Sequence, residues 1–342
     1  MVTAAQIGRA TDSVSDRPCA SDISQRAPGQ RLHSIDAKLQ IISETSIRLH
    51  TRFMTRQKQF LSEISAVCSH HERAALITPL QAVGTAVFPQ LLRVEEERIT
   101  HASHPIRVLP LLFAGLVASP AVSPEVELAL GISCLCHDAS AVKKKSTTGI
   151  KKGSASASSP EQLANEEESR RFLRMLHEAD GVVELIKAVT AANALLKGDG
   201  CSPIGSDALE VATRICAVHD TPSLRSRLPL DLGTPAGAAL GLFVQADSLA
   251  MVEYGDGLRT QIPVGPMVEP WARGEPLDKE TVGKQAVSSL KSLRSRLGAA
   301  FGLNEHGPLR ECFPNRALGE IAERNASMWQ AELGEEFGRQ IG

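Results

Sequence analysis

The chain has 342 residues, enough for two domains of ordinary size or for one large domain. Apolar residues make up 42% of it but aromatic residues only 4%, so aliphatic side chains must fill most of the core. Such a core suits close helix packing better than a β-sandwich. The formal net charge of -2 excludes a chain that is basic throughout, as many nucleic-acid-binding domains are.

The distribution of proline, glycine and charge predicts a mainly α, helical bundle-like fold with two helical lobes joined by a basic flexible linker. Residues 1–30 are rich in Ser, Asp, Ala and Arg without any apolar period, which predicts a disordered leader. The lobes are predicted over 31–142, which contains a long helix, and over 160–342. The Ser-rich linker between them is predicted over 143–159.

The longest run without glycine or proline is 31–78. Its apolar residues recur at alternating steps of three and four, which predicts one helix over 34–77, with Ser34 as its cap and a length on the order of 65 Å. We expect its apolar stripe to bind a protein partner or a second copy of the chain, as in a coiled coil. Ser46 and Arg56 interrupt the stripe, so a loose contact within the chain is the alternative. The partner-binding residues predicted from this stripe are Ile35, Leu39, Ile42, Leu49, Phe53 and Phe60.

Start signals that contain proline divide the rest of the first half. A helix is predicted to begin at Thr78-Pro79 and to stop or kink at Pro89, because proline lacks the amide hydrogen that a helix interior uses. Further helices are predicted over 89–100, 109–118 and 124–136.

The second half begins with the start signal Ser159-Pro160. We expect the helix that follows to be interrupted at Gly181 and ended by Gly198. Other helices are predicted over 206–218 and 235–246, followed by a pair that begins after Asp278 and near Pro314. Residues 249–264 also fit a small β-hairpin with a glycine turn, which leaves helix and hairpin open there.

The linker carries five lysines and no acidic residue. Such a cluster is typical of a nuclear-localisation segment, of a loop that contacts RNA phosphates, or of a solvated insertion. The predicted nucleic-acid-binding residues are Lys143, Lys144, Lys145, Lys151 and Lys152.

Seven irregularly spaced cysteines favour a reducing compartment, and we expect an intracellular protein, cytoplasmic or nuclear. No segment is expected to be apolar enough to span a membrane, so no membrane partner is predicted.

Two groups of residues resemble zinc ligands: Cys68-Ser69-His70-His71 and Cys134-Leu135-Cys136-His137. Side chains one or two residues apart on a helix do not converge, so no metal and no cofactor are predicted. His137-Asp138 and His219-Asp220 each pair a base with a carboxylate, but neither comes with a nucleophile motif, and no catalytic residue is assigned. An enzyme with a hidden His-Asp site would place His137 or His219 in a pocket.

These patterns favour a helical protein without enzymatic activity that assembles with itself or with a protein partner through the long helix. One alternative is a viral-type helical nucleoprotein or capsid protein that binds RNA through the lysine cluster. The other is a bacterial effector, with residues 1–30 as its export signal, or an enzyme with a hidden His-Asp site.

Overall fold

The computed structural model describes residues 50–97, 104–119, 122–139, 160–219, 234–254, 279–304, 306–335 and 337–338. The chain divides into two compact units, Met1–Arg56 and Gln57–Gly342. In the first unit only residues 50–56 are described, and they are helical. The predicted leader, residues 31–49 of the predicted long helix and the whole lysine linker lie outside the described residues.

Every regular element in the described ranges is a helix, which confirms the predicted mainly α, bundle-like class. Two short 3-10 helices, Ala74–Leu76 and Leu309–Cys312, accompany the α-helices. The α-helices are α1 (50–70), α2 (Ile77–Glu97), α3 (His104–Val117), α4 (Pro124–Cys136), α5 (Pro160–Gly198), α6 (Ser206–Val218), α7 (Pro235–Ala250), α8 (Lys279–Phe301) and α9 (Arg316–Leu333).

Helices from both sides of the predicted linker pack on one another. Helix α2 lies against α5, α4 against α6, and α3 against α7. Leu130, Ile132 and Leu135 on α4 are fully buried, so this helix is covered on several sides. The predicted lobes 31–142 and 160–342 are therefore not separate: their described helices share one core in the unit Gln57–Gly342. The physical reason is that α3 and α4 pack against α7 and α6 as well as against each other, so helices from both halves bury their apolar faces.

The helix predicted over 34–77 ends earlier than expected, at residue 70. Glu72 adopts a left-handed conformation with φ 57°, and the amide of Arg73 donates to the carbonyl of Cys68. The chain then reverses into α2, where Phe88 contacts Phe60 with ring centroids 5.2 Å apart. The apolar stripe of α1 is thus covered from Phe60 onward by the next helix of the same chain.

Several helix ends agree with the local start and stop signals. Helices α4 and α6 have their predicted bounds, and α5 begins at Pro160 and ends at Gly198 as expected. The predicted stop at Pro89 and the predicted interruption at Gly181 are wrong, because α2 and α5 continue through these residues. A kink at Pro89 stays a prediction. Helix α7 extends to Ala250, so residues 249–250 of the alternative hairpin are helical, and its residues 255–264 lie outside the described ranges.

One helical stretch, Ala74–Arg93, is long and apolar enough to span a membrane by length and composition, contrary to the expectation that none would be. The core helix of a soluble protein meets the same criterion. Here Leu80, Val83 and Leu91 are fully buried against the rest of the chain, which accounts for the apolar composition.

Candidate metal centre

Six imidazole and carboxylate side chains, carried by five helices or by the residues directly after them, converge at one place. His104 is the first residue of α3, His137 and Asp138 directly follow α4, and His219 directly follows α6. His177 and Asp247 lie within α5 and α7. These six residues form two groups of three, and in each group the ligand atoms lie within 4.8 Å of one another.

The first triad consists of His104, His137 and Asp247, all buried. Oδ1 of Asp247 lies 2.8 Å from Nε2 of His104 and 3.3 Å from Nε2 of His137. Two ligands that each bind a cation at about 2.1 Å are themselves about 3 to 4 Å apart. The 3.3 Å separation lies in this range, whereas the 2.8 Å separation is that of a hydrogen bond, so a bound cation would take the place of the hydrogen bond between His104 and Asp247.

The second triad consists of Asp138, His177 and His219. Oδ1 of Asp138 lies 3.0 Å from Nε2 of His177. Its other oxygen, Oδ2, faces the first triad, at 3.7 Å from Nε2 of His137 and 4.0 Å from Nε2 of His104. Asp138 thus has one oxygen toward each triad, the arrangement of a carboxylate that bridges two cations.

Backbone carbonyls fix the orientation of two of the histidine rings. Nδ1 of His137 lies 3.0 Å from the carbonyl oxygen of Cys134, and Nδ1 of His219 lies 3.0 Å from that of Cys216. We assign the ring proton to Nδ1 in both cases, because a carbonyl oxygen can only accept a hydrogen bond. With the proton on Nδ1, Nε2 is the nitrogen through which each ring, once neutral, would bind a metal.

The Nε2 atom of His137 is fully buried and lies between two carboxylates. Oδ1 of Asp247 is 3.3 Å from it and Oδ2 of Asp138 is 3.7 Å from it. Either a proton on this nitrogen or a divalent cation beside it would balance the charge of the two carboxylates.

The charged side chains of the first triad shift one another's pKa values. Burial alone would lower the pKa of His137, but the carboxylates of Asp138 and Asp247 outweigh burial and raise that pKa to about 9. Burial would raise the pKa of Asp247, but Arg296, His104 and His137 outweigh it and hold that pKa well below its usual value. Burial lowers the pKa of His104. The two carboxylates therefore hold positive charge beside them, and a divalent cation would supply that charge and release the proton of His137.

One buried thiol, that of Cys134, lies beside the candidate centre without being a ligand of either triad. Sγ of Cys134 lies 3.1 Å from the carbonyl oxygen of Pro105, which ties α4 to the first turn of α3 beside His104. Burial raises the pKa of the Cys134 thiol well above its usual value, so it stays protonated and can donate. In the described part of the chain neither triad includes a cysteine, so the zinc-like group Cys134-Leu135-Cys136-His137 contributes only its histidine.

The donor set defines the kind of metal that fits. Each triad offers two imidazoles and one carboxylate, a combination found in catalytic zinc sites and in non-haem iron sites. Such nitrogen and oxygen ligands fit first-row divalent cations such as Mn²⁺, Fe²⁺, Co²⁺ and Zn²⁺ better than Ca²⁺, which prefers an all-oxygen shell. Three protein ligands per cation leave coordination positions for water or substrate, as in catalytic sites.

The sequence patterns singled out His137, Asp138 and His219, and the structure brings these three together. Both histidines are buried, at 1% and 2% exposure. The hypothesis of a hidden His-Asp site requires a pocket beside one of them, and this pocket stays a prediction. The partner of His219 in sequence, Asp220, lies outside the described residues. His104, His177 and Asp247 were missed. A signal existed for Asp247, which is the only charged residue in the apolar sequence of α7.

The other predicted site residues lie elsewhere. Phe60 is buried against Phe88, and Phe53 is half-buried. Ile35, Leu39, Ile42 and Leu49 lie outside the described residues, as do all five lysines of the predicted nucleic-acid site. Partner binding through the stripe and RNA binding through the lysines stay predictions.

Comparison with known proteins does not assign the chain to a family. No protein-family model matches the chain, and neither a curated protein nor a solved structure matches it.

Proposed function

We propose that the unit Gln57–Gly342 is a metal-dependent hydrolase whose centre holds two divalent cations. His104, His137 and Asp247 would hold the first cation, and His177 and His219 the second, with Asp138 between them. The observation that carries the proposal is the position of Asp138, which faces one triad with each of its two carboxylate oxygens.

The bridging position of Asp138 sets the distance between the two sites. A single carboxylate that binds two cations places them a few ångströms apart, and pairs about 3.5 to 4 Å apart are typical of phosphatases and nucleases. Cations held there would generate a nucleophile from water at neutral pH and would stabilise negative charge on the oxygens of a phosphate ester. Phosphate-ester hydrolysis is therefore the reaction class that this geometry supports best.

Burial differs among the six side chains and indicates the more open side of the centre. The side chains of His104, His137 and Asp247 are at most 5% exposed, and His219 is buried at 2%, whereas the side chains of His177 and Asp138 are 15% and 16% exposed. Water and substrate would therefore reach the centre beside His177 on α5.

Metal analysis and an ester assay test the proposal together. The full chain is stripped with chelator, reloaded separately with Mn²⁺, Co²⁺ or Zn²⁺, and analysed for metal content. Activity is measured with p-nitrophenyl phosphate and with bis-p-nitrophenyl phosphate. We expect two cations per chain, and hydrolysis of at least one ester that chelator abolishes and metal restores.

Two variants connect that activity to the residues. His177→Ala removes a ligand of the second triad only, so the chain should retain one cation. Asp138→Asn removes the charge between the two triads and should lower kcat by about 10- to 100-fold, because changes at metal ligands and their immediate partners have effects of that size. His306→Ala changes an exposed histidine outside both triads and should alter neither metal content nor rate.

A chain that binds no divalent cation at any of these loadings would refute the metal centre. A chain that binds metal, consumes dioxygen when loaded with Fe²⁺ and hydrolyses neither ester would refute the hydrolase. That second result would assign the two imidazole-carboxylate triads to oxidative chemistry instead.

A further inference from the structure

We propose that Arg296 is a positioning residue that holds the ligand-bearing segments of both triads in register. Arg296 lies on α8, a helix that contributes none of the six ligands. The proposal rests on the metal centre described above and adds a residue that none of its ligand groups contains.

The contacts of Arg296 reach one segment from each triad. Its terminal nitrogen Nη2 lies 2.9 Å from Oδ2 of Asp247, a ligand of the first triad. The same nitrogen lies 3.4 Å from the backbone carbonyl oxygen of His219, a ligand of the second triad. One guanidinium group thus joins the end of α6 to the last turn of α7.

The two carboxylate oxygens of Asp247 have different partners. Oδ2 accepts from Arg296, while Oδ1 faces the imidazoles of His104 and His137. A carboxylate held in this way binds a cation through one oxygen only, with its plane fixed. If Arg296 were removed, the group could rotate and present either oxygen or both.

The contact with His219 acts on the backbone of that residue. His219 follows the last turn of α6, where carbonyl oxygens lack partners within the helix and carry partial negative charge. Arg296 donates to the carbonyl, while Nδ1 of the ring is fixed by the carbonyl of Cys216. The peptide and the ring of this ligand are therefore both held from outside the second triad.

A purely electrostatic role of Arg296 and a positioning role predict opposite changes in metal affinity. A positive guanidinium beside a ligand repels a bound cation, so a purely electrostatic role predicts tighter metal binding when Arg296 is neutralised. A positioning role predicts weaker binding, because the loss of a partner of a metal ligand typically costs 10- to 100-fold in affinity. The sign of the change separates the two roles.

The variant Arg296→Lys tests whether both contacts of the guanidinium group, with Asp247 and with His219, are needed. Its ammonium group keeps the positive charge of Arg296, but it is a compact group on a flexible stem and lacks the planar fork of the guanidinium. Arg296→Lys should therefore recover only part of the affinity lost in Arg296→Gln. The half-buried Arg294 on the same helix donates to the carbonyl of Gly307, away from the centre, so Arg294→Gln is the matched control.

The experiment is a Co²⁺ titration of the full chain, followed by visible absorption and by calorimetry. Far-UV circular dichroism and melting in chelator verify that each variant is folded. We expect Arg296→Gln to weaken Co²⁺ binding about 10- to 100-fold and to change the shape of the cobalt bands, since the coordination geometry changes. Arg296→Lys should lie between Arg296→Gln and the wild type, and Arg294→Gln should match the wild type.

Unchanged or tighter binding in Arg296→Gln would overturn the positioning role while leaving the metal centre intact. Full recovery of affinity and of the cobalt bands in Arg296→Lys would overturn it too, because a single donor without the planar fork of the guanidinium would then be sufficient. If Arg296→Gln does not fold, Arg296→Lys alone decides, with weakened binding and altered bands as the supporting result and wild-type behaviour as the refuting one. Absence of Co²⁺ binding in the folded wild type would overturn both this proposal and the metal centre.

Discussion

Gly181 shows how one residue without a side chain positions the candidate centre. It lies in α5 four residues after His177, and so on the same face of the helix. A Cβ at this position would lie 3.0 Å from the backbone carbonyl oxygen of His137, closer than nearly all real contacts of this kind. The missing side chain therefore lets α5 approach the end of α4, and this approach brings His177 to Asp138.

From the sequence, Gly181 was predicted to interrupt the helix, which is wrong. Glycine disfavours a helix interior by roughly 1 kcal/mol relative to alanine, a cost that neighbouring helices can override. Here the contact between α5 and the residues that follow α4 provides a reason for glycine that sequence spacing alone does not show.

We predict that Gly181→Ala weakens Co²⁺ binding while changing stability little. The added Cβ pushes His137 and Asp138 away from α5, and the gain in helix propensity, roughly 1 kcal/mol, offsets part of the strain. Gly283→Ala is the control, since a Cβ at Gly283 in α8 meets nothing within 4 Å. That control should gain up to about 1 kcal/mol in the free energy of unfolding without any change in Co²⁺ affinity. Equal Co²⁺ affinity in both variants would contradict the role assigned to Gly181.

At the scale of the helix, α2 shows how a proline is tolerated in a helix interior. Pro89 has no amide hydrogen, so the carbonyl of Thr85 four residues earlier loses its usual partner. Nε2 of Gln57, on α1, donates to that carbonyl oxygen at 3.3 Å. Phe88 and Leu91 beside the proline are buried, which contributes the packing energy that keeps the helix continuous.

A double-mutant cycle tests this compensation. Gln57→Ala in the wild-type background should lower the free energy of unfolding by about 1 kcal/mol, since a half-buried carbonyl loses its donor. In a Pro89→Ala background the helix supplies its own amide to Thr85, and the same substitution should cost much less. Urea unfolding of the four proteins measures the coupling energy, which we expect to be about 1 kcal/mol. Additive effects would show that Gln57 does not compensate for the proline.

Helix ends set by local chemistry were predictable, whereas those set by packing were not. The side chains of Ser123 and Thr234 each accept a hydrogen bond from a backbone amide, at the start of α4 and of α7 respectively. In the sequence both residues directly precede a proline. Gly198 likewise marks the end of α5. The left-handed Glu72 that ends α1 has no such signal, because the reversal is stabilised by contacts such as Phe60 with Phe88.

At the scale of the whole molecule, the candidate centre depends on contacts between residues far apart in sequence. His104 lies 143 residues before Asp247, and their side chains are 2.8 Å apart. A single sequence shows which imidazoles and carboxylates exist, but not which helix ends meet, since that depends on packing across the core. The pairs His137-Asp138 and His219-Asp220 indicated a possible base and acid, and only the fold supplied the remaining ligands.

The centre also joins the two halves that were expected to be separate lobes. His104, His137 and Asp138 belong to the first half, while His177, His219 and Asp247 belong to the second. Each triad contains ligands from both halves. A cation bound in either triad would therefore cross-link them, and its binding free energy would contribute to the stability of the whole unit.

We accordingly expect the unit Gln57–Gly342 to unfold in one cooperative transition, and we expect bound metal to raise the Tm of that transition. A ligand that binds only the folded state stabilises it by about 2.7 kcal/mol at 100 times its Kd, which for a domain of this size corresponds to a rise in Tm of roughly 5 to 10 °C. Calorimetry with Mn²⁺, Co²⁺ or Zn²⁺, and with chelator, measures the shift; His306→Ala should show the full shift and His137→Ala little. Two transitions, of which metal moves only one, would mean that the halves unfold independently and that the cation does not bind both. A single transition that shifts as a whole requires the ligands from both halves to be held together in the folded state.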